Sequence, residues 1–250
     1  MDAHAAQWLG SRDDMEDAYT VAHFPEGTLA VVCDGMGGHS HGKLAARTAA
    51  DAFRNAFTRL AELPVQRRLR AALDVANEAV GALFQEKGSF GGTTLLAVFA
   101  AHRLLHHISV GDSALFLWRA GNLVRLNEDH SMRAFYSGFG PECAMPDSHC
   151  LRSALTGEQP ELVDEPQQGY PLLPHARIIL ASDGVEDLLF DCIPTPAVRE
   201  VLSSTAVPLA SALVQATEAL HNEYANDFIA WFKVYYPWSN FLYNAGRLMS

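Results

Sequence analysis

Positive charge is in short supply in this 250-residue chain: 18 Lys and Arg stand against 29 Asp and Glu, a formal net charge of -11. That balance excludes the basic footprint that nucleic acid or an anionic membrane surface requires, and it makes a cation the natural ligand. Cysteine is also sparse. Cys33, Cys143, Cys150 and Cys192 form no CxxC pair, so neither a zinc knuckle nor a disulfide framework is expected, and free thiols fit a reducing compartment. No apolar run approaches the roughly 20 residues of a bilayer-spanning helix. The start, MDAHAAQWLGSRDD, lacks a basic head followed by an apolar core, and the expectation is a cytoplasmic protein. Internal repeats and low-complexity stretches are absent as well. What is present is ordinary for a globular protein, 49% hydrophobic and 19% charged residues, enough to bury the core of one domain spanning 1–250.

The stretch Ala30 to Gly42, AVVCDGMGGHSHG, is the pivot of the chain. An apolar, β-branched run is stopped by Asp34-Gly35, and Gly35, Gly37, Gly38 and Gly42 let the backbone turn sharply and present its own amides and carbonyls. Taken alone, it fits two readings: a site for a metal or an anion, or a strand-to-helix turn that needs only glycine and a capping Asp. Upstream, Tyr19 to Phe24 and Thr28 to Asp34 flank Pro25-Glu26-Gly27 and predict an antiparallel hairpin. Before it lies Arg12-Asp13-Asp14-Met15-Glu16-Asp17, by itself no more than an acidic surface loop.

After Gly42 the apolar period changes from two to about 3.6, predicting a helix from near Ser40 and a second between Pro64 and Gly88. Strands follow at Thr93 to Ala101, Leu104 to Val110, Ala114 to Trp118 and Leu123 to Leu126, expected as a meander with Gly111-Asp112-Ser113 in one turn. From Asn127 to about Arg177 glycine and proline crowd out periodicity, predicting an irregular flap at about 131–176, with a short helix from Ser131 and a strand near Leu151 to Leu155. Arg177 to Gly184, RIILASDG, repeats the apolar run stopped by Asp-Gly. A helical turn at Val185 to Phe190, a long helix from Val207 to Tyr224 and a strand from Phe228 to Tyr236 complete the body, and an aromatic tail at about 237–250 carries Trp238, Phe241 and Tyr243.

Asp34, Asp112, Asp183 and Asp227 thus each sit beside an apolar strand. Four carboxylates gathered in one place repel one another and favour protonation unless cations join them, so convergence implies cations. Carboxylates and carbonyls are hard oxygen donors that suit Mg²⁺ or Mn²⁺ and not Zn²⁺. Two such ions sharing a carboxylate lower the pKa of a water between them from ~15.7 toward ~7, positioning it for attack on phosphorus. Arg12 offers a planar fork for phosphoryl oxygens. His39 and His41 flank the glycine-rich loop, where paired histidines more commonly face solvent or cap a helix than bind zinc.

Six motifs in order resemble those of the protein phosphatase 2C family: Arg12-x-x-Met15-Glu16-Asp17, Asp34-Gly35-Met36-Gly37-Gly38-His39, Gly91-Gly92-Thr93-Thr94, Val110-Gly111-Asp112-Ser113, Glu128-Asp129-His130-Ser131 and Ala181-Ser182-Asp183-Gly184. The resemblance covers residues 10 to about 235 and implies an α+β fold, a four-layer α-β-β-α sandwich of two antiparallel sheets flanked by helices. It implies a binuclear Mn²⁺ or Mg²⁺ centre in which Asp34 bridges the ions, the Gly35 carbonyl ligates one, and Asp183 with Asp227 completes the other. Glu16 and Asp17 would act through water or from behind the direct ligands, Asp112 with Asp183 would hold a weaker third ion, and Arg12 would clamp the phosphate. The implied reaction is hydrolysis of phosphoserine and phosphothreonine in proteins without a covalent intermediate, opposing a cognate Ser/Thr kinase.

The chain also departs from that pattern. Met36 stands where many eukaryotic relatives carry a histidine thought to act as general acid, whereas bacterial members of the family commonly have Met there, so the resemblance is to the bacterial type and the leaving group's proton must come from water or another residue. Ala114 replaces a usual Arg, and Phe228 and Ala230 follow Asp227 where Asn and Thr are usual. Those residues motivate an alternative, a catalytically weak or inactive module that binds phosphoproteins. A hydrolase of another phosphate ester is a third reading.

Overall fold

A computed structural model of the chain describes residues 2–3, 5–7, 14–37, 40–139, 150–183, 199–200, 202 and 229–233. A short strand β1 (Asp2–Ala3) precedes the hairpin β2 (Ala18–Phe24) and β3 (Gly27–Cys33), and β4 (Gly35–Met36) follows Asp34 at once. Two helices come next, α1 (Ser40–Arg59) and α2 (Val65–Lys87), then β5 (Gly92–Thr93), β6 (Leu95–Ala101), β7 (Leu104–Val110), β8 (Ala114–Arg119) and β9 (Asn122–Arg125). The short helix α3 (Met132–Ser137), β10 (Tyr170–Pro171), β11 (Arg177–Ala181) and β12 (Ile229–Lys233) complete the described elements.

The strands form two five-stranded sheets, ordered β10-β7-β6-β3-β2 and β1-β12-β11-β8-β9, while β4 and β5 make a small pair of their own. The described pairings are antiparallel, with Val31 opposite Ala97, Ala97 opposite Ile108 and Ile179 opposite Phe116. β3 and β6 read as continuous apolar runs because both of their faces are covered. Leu29, Val31, Cys33, Leu95, Ala97 and Phe99 point to the helices, where they meet Phe53, Phe57, Leu69 and Leu73. Ala30, Val32, Leu96, Val98 and Ala100 point the other way and meet Leu115, Ile178 and Leu180 of the second sheet. Helix pair, sheet and sheet are therefore stacked as layers of the expected α+β sandwich. The helix expected at Val207 to Tyr224 and the turn at Val185 to Phe190 lie outside the described residues, as does the aromatic tail.

Helix α1 buries mostly alanine, Ala45, Ala46, Ala49, Ala50 and Ala56, which lets it lie close to its neighbours. Helix α2 starts after Pro64 and stops where Gly88 adopts the left-handed conformation (φ 60°), as expected. Its inner face carries one residue that periodicity could not place: Arg68, buried among Phe24, Phe57 and Phe99, with its guanidinium 3.7 Å from the centre of the Phe57 ring. It donates to the Phe57 carbonyl and to Glu26 Oε1 (3.0 Å), fastening the turn of the β2–β3 hairpin to both helices.

The expected meander is divided between the two sheets. β6 and β7 pair in one sheet and β8 and β9 in the other, because Gly111-Asp112-Ser113 carries the chain across from sheet to sheet instead of turning it back. The strand expected from Thr93 is also broken at Thr94, between β5 and β6. No strand runs from Leu151 to Leu155. That segment is held by isolated bridges, Ser131 to Leu151 and Thr93 to Leu155, and further on Ser109 to Asp164. The described residues from 150 to 176 form a strap across α2 and the sheet edge. Asn77 of α2 accepts the N–H groups of Thr156 and Gly157 and donates to the Glu158 carbonyl (3.1, 3.0 and 2.8 Å). Glycine is required on both sides of that contact: a Cβ on Gly81 would come 2.6 Å from the Gly157 Cα, and Gly157 itself has φ 95°.

Candidate metal centre

Because β3 is apolar up to Cys33 and β11 up to Ala181, each delivers the first polar residues beyond it to the same end of the sandwich. Asp34, Asp183 and the crossover residue Asp112 line one cavity of about 210 Å³ together with Glu16, Gly35, Met36, Thr94 and Leu151. Glu16 is brought there by a close crossing of backbones. A Cβ on Gly35 would lie 2.1 Å from the Gly42 carbonyl oxygen and 2.6 Å from that of Glu16, and one on Gly42 would lie 3.2 Å from the Glu16 carboxyl carbon. Only glycine fits at these two points, and the start of α1 is thereby pinned beneath the acidic loop.

Asp34 is held at both of its backbone groups. Its N–H donates to Thr94 Oγ1 (2.9 Å), while its carbonyl accepts from the Thr94 N–H (2.8 Å) and the Thr93 hydroxyl (2.8 Å). Its carboxyl is pushed far above the usual range, first by burial, then by the charges of Asp17, Asp183 and Asp112, with a hydrogen bond to Asp17 acting in the same direction. Asp112 is pushed up to about 7 by burial and by Asp183 and Asp129, against the opposing charge of Arg125. The neighbouring Cys33 thiol is raised by burial and by Asp17 and Asp34.

A divalent cation fits this arrangement on chemical grounds. Several acids and a carbonyl-bearing glycine loop, all hard oxygen donors, share one cavity in which their charges work against each other. Among the described residues no three His, Cys, Asp or Glu stand as a finished coordination shell. An ion such as Mg²⁺, which keeps several of its waters, needs a cavity with acidic walls more than a tight protein cage.

Of the residues expected at the site, Glu16, Asp34, Gly35, Asp112 and Asp183 meet in the cavity and Asp17 adjoins Asp34. Arg12, Asp227 and His39 lie outside the described residues. His41 turns away to an edge-on contact with the Phe84 ring, 6.0 Å between centres. Three cavity residues had no role assigned from sequence: Thr94, Met36 and Leu151. Thr94 was signalled by the hydroxyl pair that follows Gly91-Gly92, whereas an apolar residue in an aperiodic strap carries no signal at all. Asp129, His130 and Ser131 support the site from outside: His130 accepts the Gly111 N–H (3.2 Å), and Asp129 accepts from Arg125 (3.4 Å) and from the Ser131 N–H (2.8 Å).

The family described as protein phosphatase 2C matches residues 10–225. The serine/threonine phosphatase stp of Listeria monocytogenes serovar 1/2a is 28% identical over 210 residues, 80% of each chain. The serine/threonine protein phosphatase PstP of Mycobacterium tuberculosis is 29% identical over 173 residues, 65% of this chain but 32% of that longer protein. A crystal structure of the catalytic domain of PstP in complex with two manganese ions superposes with a TM-score of 0.73 at 24% identity, covering 93% of this chain and 97% of that one.

Proposed function

The chain belongs to the protein phosphatase 2C family, and from that premise we propose that it is a protein serine/threonine phosphatase which hydrolyses phosphoserine and phosphothreonine with a water activated at two divalent ions. The observation that carries this reading is the meeting of Asp34, Asp112, Asp183, Glu16 and the Gly35 backbone, from four separate parts of the chain, in one cavity. On the family pattern Asp34, the Gly35 carbonyl, Asp183 and Asp227 would hold the two ions, Glu16 and Asp17 would act through water or from behind those ligands, and Asp112 with Asp183 would offer a third, weaker position. The bound ions supply a lowered water pKa and charge neutralisation for the phosphoryl group. The manganese pair in the PstP catalytic domain supports Mn²⁺, with Mg²⁺ as the other candidate.

This chain's own residues do the positioning. The doubly held backbone of Asp34 fixes where its carboxylate enters the cavity, and Arg12 clamps the phosphate with its planar fork. Met36 lines the cavity but can neither hold nor donate a proton. The leaving oxygen is therefore protonated by water or another group. Substrates are phosphorylated proteins, a Ser/Thr kinase is the opposing enzyme, and the compartment is the cytoplasm. No described helix is long and apolar enough to cross a membrane.

The test is hydrolysis of p-nitrophenyl phosphate and of a phosphothreonine peptide by the full chain, with Mn²⁺ added and then chelated. Turnover that appears with the ion and disappears with chelator is expected. Intact protein that binds two Mn²⁺ by calorimetry without turnover would favour the phosphoprotein-binding alternative, and preference for nucleotides over phosphopeptides would point to another ester.

A further inference from the structure

The carboxylates of the cavity reach it from two different sheets. Asp34 follows β3, whereas Asp112 and Ser113 sit where the chain leaves that sheet at β7 and enters the other at β8. Sheets packed through apolar side chains alone can slide by fractions of an ångström, and a metal site tolerates little of that. A polar link across the seam is present. Thr94 Oγ1 lies 2.8 Å from Ser113 Oγ, and both residues are about 1% exposed.

Thr94 Oγ1 accepts the Asp34 N–H and shares one further hydrogen bond with Ser113 Oγ, for which either hydroxyl can supply the proton, so both oxygens have a partner. The Thr94 side chain also packs against the Asp112 turn: a Cβ on Gly111, which has φ 102°, would meet the Thr94 methyl at 2.6 Å. On the far side Ser113 is itself fixed. Asn127 donates to the Ser113 carbonyl (2.9 Å) and accepts the Leu115 N–H (2.7 Å), and Arg125 donates to the Asp112 carbonyl (2.9 Å). Backbone next to Asp34 and backbone next to Asp112 are thus joined through two hydroxyls.

We propose that Thr94 and Ser113 are positioning residues: their buried hydroxyl pair sets the separation of Asp34 from Asp112 across the seam between the sheets, and with it the fit of the cavity to its ions. The proposal rests on the metal-centre reading above. Each acts through backbone: Thr94 Oγ1 holds the Asp34 N–H, and Ser113 Oγ ties Thr94 to the residue that follows Asp112.

Mn²⁺ titration calorimetry on the full chain tests it, with Thr94→Val, Thr94→Ser, Ser113→Ala and the Thr94→Val/Ser113→Ala double variant. Thr94→Val and Ser113→Ala should each weaken Mn²⁺ binding about 10-fold or more. Thr94→Ser should restore it, and the double variant should bind little worse than either single one, because the two hydroxyls act as a unit. In kinetics the Mn²⁺ concentration for half-activation should rise while the peptide KM at saturating Mn²⁺ stays put, a split that general loosening of the fold would not give. Ser113→Ala keeps Asp34 paired with Thr94 and carries the test if Thr94→Val fails to fold. Wild-type affinity in Ser113→Ala overturns the proposal by itself, whereas wild-type protein that takes up no Mn²⁺ overturns the metal-centre reading and the proposal together.

Discussion

Burial and the charges of Asp17, Asp183 and Asp112 all push the Asp34 carboxyl toward its protonated form. Asparagine keeps nearly the same shape and hydrogen-bonding reach but carries no charge. Asp34→Asn should therefore abolish Mn²⁺-dependent turnover and yet, in chelator at pH 8, stabilise the fold by about 1–3 kcal/mol, since an uncompensated buried charge is removed. Urea midpoints of the two proteins in EDTA check this, and a variant less stable than wild type would mean that Asp34 is not under electrostatic stress. Residues of this kind were legible in the sequence because an apolar run stopped by Asp-Gly marks both a strand end and a polar intrusion, at Asp34 and again at Asp183. Thr94 was marked only by the hydroxyl pair after Gly91-Gly92, which does not say what its side chain holds. Arg68 was not marked at all: an arginine on the inner face of α2 is unreadable until Glu26 and three phenylalanine rings are found around it.

Elements with internal hydrogen-bond periodicity, the two long helices and the β2–β3 hairpin, match their expected bounds closely, while the strap of residues 150–176 does not announce itself. Its backbone groups pair one at a time with distant partners, Leu155 with Thr93, Asp164 with Ser109 and Leu172 with Arg103, so no local repeat exists to be read. The strap is held to β7 by a polar joint in which Asp164 Oδ2 lies 3.1 Å from His107 Nε2 and accepts the Glu128 N–H at 2.9 Å. Burial alone would raise the Asp164 carboxyl; the hydrogen bonds from His107 and Glu128 outweigh it and leave the group below its ordinary value of 3.8. A carboxylate depressed in the folded state contributes stability above its unfolded pKa and loses it as pH falls through the folded one. Asp164→Asn should accordingly cost about 1–2 kcal/mol at pH 7, with the difference from wild type shrinking as both are acidified below about pH 4. Denaturation midpoints across that range give the answer, and a pH-independent difference would show that the charge on Asp164 is not what holds the strap.

Among the described residues, Glu16, Asp34, Asp112 and Asp183 meet on the seam between the two sheets, so an ion bound there would also be a structural clip. Asp34 follows a strand of one sheet and Asp183 a strand of the other, and the core between them is apolar, from Ala30 and Val32 across to Ile178 and Leu180. In a chain of net charge -11, a divalent ion at that seam would relieve repulsion as well as join the sheets. Binding to the folded state alone stabilises by RT ln(1 + [L]/Kd), about 2.7 kcal/mol at a hundredfold excess over Kd. For a chain of this length that corresponds to a rise in Tm of roughly 5–10 °C. Mn²⁺ at that excess should produce such a rise in wild type, and EDTA should reverse it. Asp183→Asn should keep well under half of the shift, because the ion then has its ligands mainly on one sheet. If Asp183→Asn gave the full shift, the ion would be stabilising one sheet only, and the seam would owe its cohesion to the apolar core and the hydroxyl pair rather than to metal.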